Sequence, residues 1–349
     1  MKNVCDIGVL GLGRLFKSRL VNLFKNEVKN ITLKAVFDIN KFKNKSYAKK
    51  LRLKPCLNIS DFLKQDLDFV YVATESGNHF KHSELILNAS KNVILEKPPT
   101  LTVNQLEKLI KLKNKRKKKV YVVFQNRFNK SVKFFKKEIN KINKRDILNI
   151  ALNLEWSRDR KYYSDWHGKW KMDGGVLAQQ GVHYIDLLCT FFGKPKKAIS
   201  YYTNKKNFIQ CEDTIFAMVE FEKNVLVQIF LTTAMKNKDI QASIELTSKN
   251  KKIKIAGLCC NEYYSMDLKR KNPQYKIMNR HSTKVPNGYG LSHKEVIEAV
   301  ANPKKKGLEC ATLEDSVNTI KLINMIYLSF EKNRWVYGDE KKIISKLGR

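Results

Sequence analysis

The chain has 349 residues, of which 43% are hydrophobic, and a formal net charge of +35. This length predicts two domains, because a domain averages about 100–200 residues. We find no run of the roughly 18 apolar residues that a membrane span needs. The N-terminal residues enter a predicted strand without an apolar segment and cleavage site, so we expect no signal peptide.

The positive charge has two interpretations. It is typical of a nucleic-acid or anionic-membrane partner, but lysines occur throughout the chain, including on predicted helix faces. The densest run, Lys113–Lys119, lies between a predicted helix and a strand, where the helix dipole favours cations. Because no nucleic-acid motif or pattern of stacking aromatic residues accompanies the charge, we expect neither a nucleic-acid nor a membrane partner. A positive surface could still attract an anionic substrate.

The seven cysteines show no C-x-x-C spacing, and Cys259 and Cys260 are adjacent. Adjacent cysteines seldom suit a structural disulfide. This usage predicts a reduced, cytoplasmic compartment, and we expect no metal site.

Residues 1–124 alternate strand-like and helix-like segments, which predicts a parallel sheet covered by helices. The predicted strands are Ile7–Leu10, Ile31–Phe37, Leu67–Ala73, Asn92–Leu95 and Val120–Phe124. The predicted helices are Arg14–Lys25, a short helix capped by Ser60 and ending at Gln65, His79–Ala89 and Val103–Leu112.

From residue 125 onwards, strand-like segments follow one another mostly without helices, which predicts a largely antiparallel sheet. These strands are Ile147–Glu155, Lys197–Tyr202, Thr214–Phe221, Val225–Thr232, Ala242–Thr247 and Lys251–Ile255. The helices are Gly181–Phe192, Glu295–Val300 and Leu313–Phe330, the last with Thr312 as a candidate N-cap. The expected fold class is α/β + α+β: an N-terminal Rossmann domain with a doubly wound parallel sheet (1–124), then a C-terminal α+β domain on a large, mostly antiparallel sheet (125–349).

A glycine-rich turn follows the first strand, with the sequence Gly11-Leu-Gly13-Arg-Leu-Phe16. Gly11 permits a tight turn, and Gly13 lets the backbone approach a pyrophosphate at the helix N-terminus, where Arg14 and Leu15 lie. The third glycine of the G-x-G-x-x-G pattern is replaced by Phe16, but that glycine mainly serves helix–strand packing. An ordinary strand-to-helix turn would also explain the motif.

Asp38 ends the second predicted strand, where a carboxylate would bind ribose hydroxyls. A turn-forming role is the alternative, since Asp38-Ile-Asn40 is good turn chemistry. With the glycine turn upstream we favour ribose binding. A carboxylate there repels a 2′-phosphate, which favours NAD over NADP, although Lys41 and Lys43 leave NADP open.

Two further motifs complete a pattern. Glu96-Lys97-Pro98 ends a predicted strand, and a glycine-rich run from Gly174 to Asp186 contains His183. Together with the glycine turn, in this order, they resemble the Gfo/Idh/MocA family of nicotinamide-dependent oxidoreductases over essentially the whole chain. The resemblance implies an enzyme that forms a homodimer or homotetramer through open sheet faces. In the family the Lys-Pro bond is often cis. The last helix (313–330) is expected to pack near the first domain.

The resemblance also marks Thr74 and His79, beyond the carboxyl end of the third strand, where ligands bind in such sheets. Family members usually have a Thr-Pro pair there, and Glu75 replaces the proline. His79 could equally be a surface histidine, and we assign it no catalytic role. The candidate cofactor-binding residues are Gly11, Gly13, Arg14, Leu15, Asp38, Thr74, His79, Glu96 and Lys97.

Lys97 and His183 are the candidate catalytic residues. The Lys97 ammonium could hydrogen-bond the substrate hydroxyl and stabilise developing negative charge on its oxygen, and the His183 imidazole could accept the proton near neutral pH. The alternatives are a surface lysine and a core histidine. Many family members carry Asp four residues before this histidine, where Gln179 stands, so the inositol-type arrangement is doubtful. The Gln179-Gln180 pair looks more like the subgroup acting on nucleotide-linked sugars.

The remaining substrate-binding candidates are Arg127, Tyr163 and Trp166, beside Lys97, Gln179 and His183. Arg127 could bind a carboxylate or phosphate bidentately or form an interdomain salt bridge. Tyr163 and Trp166 belong to an aromatic, basic stretch whose rings suit sugars, although a loop with buried anchors would look similar.

We therefore expect an NAD-dependent dehydrogenase acting on a ring carbon of a sugar, most simply a nucleotide-linked hexose derivative. An inositol or polyol dehydrogenase, or an NAD-using glycoside-cleaving relative, is the alternative. A non-catalytic dinucleotide-binding sensor belongs to another class, and the presence of both Lys97 and His183 argues against it.

Overall fold

The computed structural model describes residues 4–206, 208–280, 292–302 and 310–349. Contacts divide the chain into two compact units. The first comprises Met1–Thr100, Asn104–Phe124 and His293–Ser316, and the second comprises Leu101–Val103, Gln125–Ser292 and Val317–Arg349. The division falls after residue 124, and the first unit also includes a late segment that starts at His293.

The strands are, in chain order, β1 Cys5–Leu10, β2 Ile31–Phe37, β3 Phe69–Val72, β4 Asn92–Leu95, β5 Val120–Val122, β6 Ile147–Glu155, β7 Pro195–Thr203, β8 Thr214–Phe221, β9 Val225–Thr232, β10 Gln241–Ser248, β11 Lys251–Ala256, β12 Glu262–Asp267, β13 Lys276–Arg280, β14 Ala311–Thr312 and β15 Val336–Tyr337. The α-helices are α1 Lys41–Leu51, α2 Ile59–Lys64, α3 His79–Asn88, α4 Val103–Lys115, α5 Lys130–Ile139, α6 Val176–Gln179, α7 Val182–Phe192, α8 Ser292–Ala301 and α9 Val317–Lys332.

Within the described ranges, the first unit holds a six-stranded sheet in the order β14-β5-β4-β3-β1-β2. Strands β1 to β5 are parallel, and β14 pairs antiparallel with β5. This is the doubly wound arrangement, in which the strand order, not the strand direction, reverses between β1 and β3. The carboxyl ends of these two strands therefore form the crevice where such sheets bind ligands, and the predicted Rossmann-type domain is confirmed.

The helices of the first unit differ from the predictions in detail. After the glycine turn the helix contains π-helical turns at Phe16–Leu20 and Leu23–Glu27. The prediction that Ser60 caps the next short helix is wrong, because the Asn58 side chain accepts the Asp61 N–H at 2.8 Å. Helix α1, capped by Asn40, was not predicted; its mean hydropathy is low and its apolar spacing weak.

The second unit is built on a sheet of nine strands among the described residues, in the order β13-β12-β11-β10-β6-β9-β8-β7-β15. Neighbouring strands are antiparallel except β6 and β9, which are parallel. Helix α9 packs on β7 and contacts α7. None of the described helices is long and apolar enough to cross a membrane.

Candidate functional site

The glycine turn closes tightly against the end of β3. Gly11 has a φ of 97°, and a Cβ there would lie 2.7 Å from the carbonyl carbon and oxygen of Ala73. A Cβ at Gly13, in contrast, would meet no atom within 4 Å. Phe16, in place of the third glycine, is buried with its ring edge-on to Tyr47 at 5.1 Å. Position 11 therefore requires glycine, because a side chain there would clash with the Ala73 backbone. Gly13, in contrast, leaves space beside the backbone for a ligand.

Asp38 brings a carboxylate to this turn. Its Oδ2 accepts a hydrogen bond from the Leu12 N–H at 2.8 Å, and its Oδ1 accepts the Asn40 N–H at 2.8 Å. The second bond is the turn chemistry of the alternative interpretation, but the first places the negative charge directly beside the glycine turn. The residues present therefore fit a dinucleotide whose pyrophosphate lies at the helix N-terminus and whose ribose meets the carboxylate.

The loop after β3 is fixed by two histidines. The Thr74 hydroxyl lies 2.9 Å from His82 Nδ1. The buried His79 ring lies between two backbone carbonyls, Pro98 O at 2.7 Å from Nδ1 and Thr74 O at 3.0 Å from Nε2. Burial lowers the pKa of His79, although both carbonyls favour the protonated ring. A neutral imidazole carries one N–H and can donate to only one of these carbonyls, and the ring packs between the Thr74 loop and the segment that carries Lys97.

Glu96 is a buried carboxylate beside half-buried Lys97, whose bond to Pro98 is cis. Its Oε1 accepts a hydrogen bond from the Tyr71 hydroxyl at 2.6 Å and lies 3.2 Å from His293 Nε2. Burial would raise the pKa of Glu96, but the hydrogen bonds from His293 and Tyr71 outweigh it and lower the pKa below the ordinary value. Glu96 is therefore an anion next to the candidate catalytic lysine.

In the second unit, Arg127 forms a bidentate ion pair with Asp186 of α7. The Nε–Oδ2 and Nη2–Oδ1 distances are 2.7 Å and 2.6 Å. Asp186 is buried and also accepts a hydrogen bond from Thr319 of α9 at 3.2 Å. Both partners of the ion pair belong to one unit, so this pair is not the interdomain salt bridge considered above. It fixes the helix that carries His183, one turn before Asp186.

His183 lies buried in the first turn of α7, and Gln179 ends α6. Gly175, which precedes α6, is required for packing, because a Cβ there would overlap the buried side chain of Glu212. Glu212 Oε1 accepts the Leu177 N–H at 3.0 Å and the Tyr327 hydroxyl at 2.9 Å. Burial raises the pKa of Glu212 to about 8.

Gln179 adjoins an aromatic cluster that the sequence indicated only in part. Its Nε2 lies 3.3 Å from His167 Nδ1, and His167 stacks on Tyr162 with centroids 4.3 Å apart. The Trp166 ring packs on the same imidazole, with the two ring centroids 3.8 Å apart. The Tyr163 hydroxyl lies 2.9 Å from Thr233 Oγ1, and burial raises the pKa of Tyr163 well above its usual range. Tyr163 is consequently a poor proton acceptor near neutral pH.

Sequence reasoning missed His167 as a functional candidate. Its Nδ1 lies 2.9 Å from Oδ2 of buried Asp173, an arrangement that fixes the ring and its tautomer. The available signal was the position of His167 beside Trp166 in the aromatic stretch. His293 was missed for another reason, since nothing in its local sequence links it to Glu96.

Comparison with known proteins agrees with this architecture. Residues 5–124 match the family model described as "Oxidoreductase family, NAD-binding Rossmann fold", and residues 139–337 match "Oxidoreductase family, C-terminal alpha/beta domain", both of the Gfo/Idh/MocA group. The WlbA dehydrogenase from Chromobacterium violaceum, solved with NADH and UDP-GlcNAcA, superposes with a TM-score of 0.84 at 23% identity, covering 96% of each chain.

Curated relatives match more locally. A scyllo-inositol 2-dehydrogenase (NADP(+)) from Bacillus subtilis is 28% identical over 130 residues, 37% of this chain and 36% of that protein. Glucose-6-phosphate 3-dehydrogenase from Bacillus subtilis is 22% identical over 259 residues, 71% of this chain and 73% of that protein. The matches to the first three curated relatives span 36%, 62% and 44% of their lengths. The two family models together cover most of the sequence, and the chain belongs to the Gfo/Idh/MocA family of oxidoreductases.

Proposed function

We propose that this protein transfers a hydride between NAD and a ring carbon of a sugar, and that the sugar is a nucleotide-linked hexose derivative. The proposal is carried by two features that lie together at the carboxyl edge of the first sheet. An open glycine turn lies beside the Asp38 carboxylate, and Lys97 follows β4 on the same edge. The glycine turn and Asp38 can bind the dinucleotide, and Lys97 can bind the oxygen of the substrate that reacts.

The proposed mechanism gives Lys97 and His183 separate roles. Bound NAD supplies the hydride acceptor. Lys97 donates a hydrogen bond to the substrate hydroxyl and stabilises negative charge as it develops on that oxygen. His183 accepts the hydroxyl proton, and the pair Arg127–Asp186 holds its helix in place. His79 acts on the Pro98 carbonyl rather than on the cofactor in this proposal.

Two features favour a nucleotide-linked sugar over a free polyol. The half-buried rings of Tyr163 and Trp166 are the proposed contacts for a sugar, and the Arg158 guanidinium lies over the Tyr162 ring at 5.5 Å. Gln179 stands where an aspartate would be expected in an inositol-type enzyme. The WlbA enzyme was solved with a nucleotide sugar, which supports the same choice. The scyllo-inositol relative keeps a polyol substrate as the second candidate.

Asp38 favours NAD over NADP in this proposal, because its carboxylate would repel a 2′-phosphate. We further propose a cytoplasmic homodimer or homotetramer formed through the outer face of the second sheet. That face exposes Tyr201, Phe216 and Met218, at 65%, 52% and 56%. Contiguous exposed apolar side chains of this kind are typical of an interface.

The decisive experiment for the substrate is a panel of nucleotide sugars, free sugars, sugar phosphates and inositols with NAD, followed by absorbance of the reduced cofactor. Highest kcat/KM on a nucleotide sugar supports the proposal, and preference for an inositol would replace it with the second candidate. Light scattering tests the assembly: Phe216→Glu should reduce the oligomer mass, whereas Leu57→Glu, an exposed site on the first unit, should not.

A further inference from the structure

The carboxylate of Glu96 is held by groups from three parts of the first unit. Tyr71, on β3, donates to Oε1 at 2.6 Å, and His293 Nε2, in the first turn of α8, lies 3.2 Å from the same oxygen. The Lys97 backbone N–H donates to Oε2 at 3.3 Å. An ionised carboxylate can only accept hydrogen bonds, so Tyr71 and His293 both act as donors.

These donors are needed because Glu96 and His293 are only 8% and 7% exposed and Tyr71 is fully buried. A buried carboxylate without hydrogen-bond partners would be strongly destabilised and would take up a proton instead. The low pKa of Glu96 agrees with an ionised side chain held by its donors. Removing one donor therefore weakens the reason for Glu96 to remain ionised and fixed.

We propose that Tyr71 and His293 are positioning residues for Lys97, acting through the carboxylate of Glu96. Together they fix Glu96, and Glu96 fixes the backbone N–H of Lys97. His79 fixes the other side of the lysine through the Pro98 carbonyl. The inference rests on the proposed function, because that function gives Lys97 its role at the reacting oxygen.

The physical importance of such positioning is large. A displacement of a catalytic group by about 1 Å can reduce the rate about 100-fold. The Glu96 carboxylate holds the Lys97 backbone N–H, and the backbone is the point from which the lysine ammonium reaches a substrate. The sequence motif contains Glu96 but neither donor, and His293 follows Glu96 by 197 residues. Only the return of the late segment to the first unit brings them together.

The first experiment compares steady-state kinetics of Tyr71→Phe and His293→Leu with the wild type. Each change should lower kcat about 10-fold or more while KM for NAD changes little, because the glycine turn and Asp38 are untouched. His293→Gln, which keeps an N–H donor, should recover part of the lost kcat. Tyr121→Phe is the matched control, since Tyr121 lies on β5 of the same sheet and stacks on Phe69 rather than bonding Glu96.

The second experiment tests whether both donors act through Glu96. In a Glu96→Met background, or Glu96→Gln if the first variant does not fold, adding Tyr71→Phe or His293→Leu should change kcat less than about twofold. Groups that act through one intermediary are non-additive in this way. Fully multiplicative losses, or no loss of kcat in either single variant, would overturn the proposal.

A substrate-free measurement separates this inference from the proposed function. Failure of the wild type on every sugar of the panel would refute the function. The thermal midpoints of the same variants would then still report coupling to Glu96. Tyr71→Phe should lower the midpoint in the wild-type background and not in the Glu96→Met background, whereas Tyr121→Phe should act equally in both. Equal effects of Tyr71→Phe in both backgrounds would contradict the role of Glu96 as intermediary.

Discussion

Paired alanine substitutions at Gly11 and Gly13 should separate the stability of the glycine turn from its ligand binding. At Gly11 the backbone has a φ of 97°, and a Cβ would lie 2.7 Å from the Ala73 carbonyl. Placing a side chain in the left-handed region costs about 1–2 kcal/mol, and the contact with backbone atoms cannot be relieved by side-chain rotation. We expect Gly11→Ala to lower the free energy of unfolding of the first unit by at least about 2 kcal/mol.

Gly13→Ala should behave differently. Its Cβ would meet nothing within 4 Å, so the unfolding free energy should stay within about 0.5 kcal/mol of the wild type. The added methyl group would occupy the space through which a pyrophosphate approaches the backbone. NAD affinity should therefore fall at least about tenfold, equivalent to about 1.4 kcal/mol. Urea unfolding and titration calorimetry measure the two quantities on the same samples. Wild-type NAD affinity in Gly13→Ala would refute the placement of the dinucleotide at this turn.

The other predictions concern catalysis, cofactor choice and pH. Lys97→Ala and His183→Ala should each reduce turnover about 10²–10⁴-fold with NAD binding largely retained; near-wild-type turnover in His183→Ala would disprove the base assignment. Calorimetry should show tighter binding of NAD than NADP, and Asp38→Asn should narrow the difference, whereas a wild-type preference for NADP would contradict the role of Asp38. The pKa of Glu212 is raised to about 8, so the folded state binds a proton that the unfolded state has lost above about pH 4.5. The contribution of Glu212 to stability is therefore full below that pH and is lost as the pH rises through about 8. Glu212→Gln resembles the protonated form, so its thermal midpoint should fall less than that of the wild type between pH 5 and 9. An equal fall of the midpoint in both proteins would exclude Glu212 as the cause.

The local motifs of the chain could be identified from sequence because each depends on a few neighbouring residues. The alternation of strands and helices predicted the Rossmann-type domain, and the run of strands after residue 125 predicted the antiparallel sheet. The glycine turn and Asp38 were found because turn chemistry restricts residue type at fixed positions. Boundaries and caps were less predictable: Asn58 rather than Ser60 caps α2, since both residues suit an N-cap and only the backbone conformation decides between them.

Tertiary structure decided which distant side chains meet. The sequence could name Arg127 as an anion-binding residue but not its pairing with Asp186, because a guanidinium binds a buried carboxylate and a substrate phosphate by the same geometry. The pairing of His167 with Asp173 depends on the path of one loop, and the approach of His293 to Glu96 depends on His293 belonging to the first unit. Periodicity and turn propensity describe neighbours along the chain, whereas these contacts arise from burying separate segments in one core and from satisfying the polar groups buried with them.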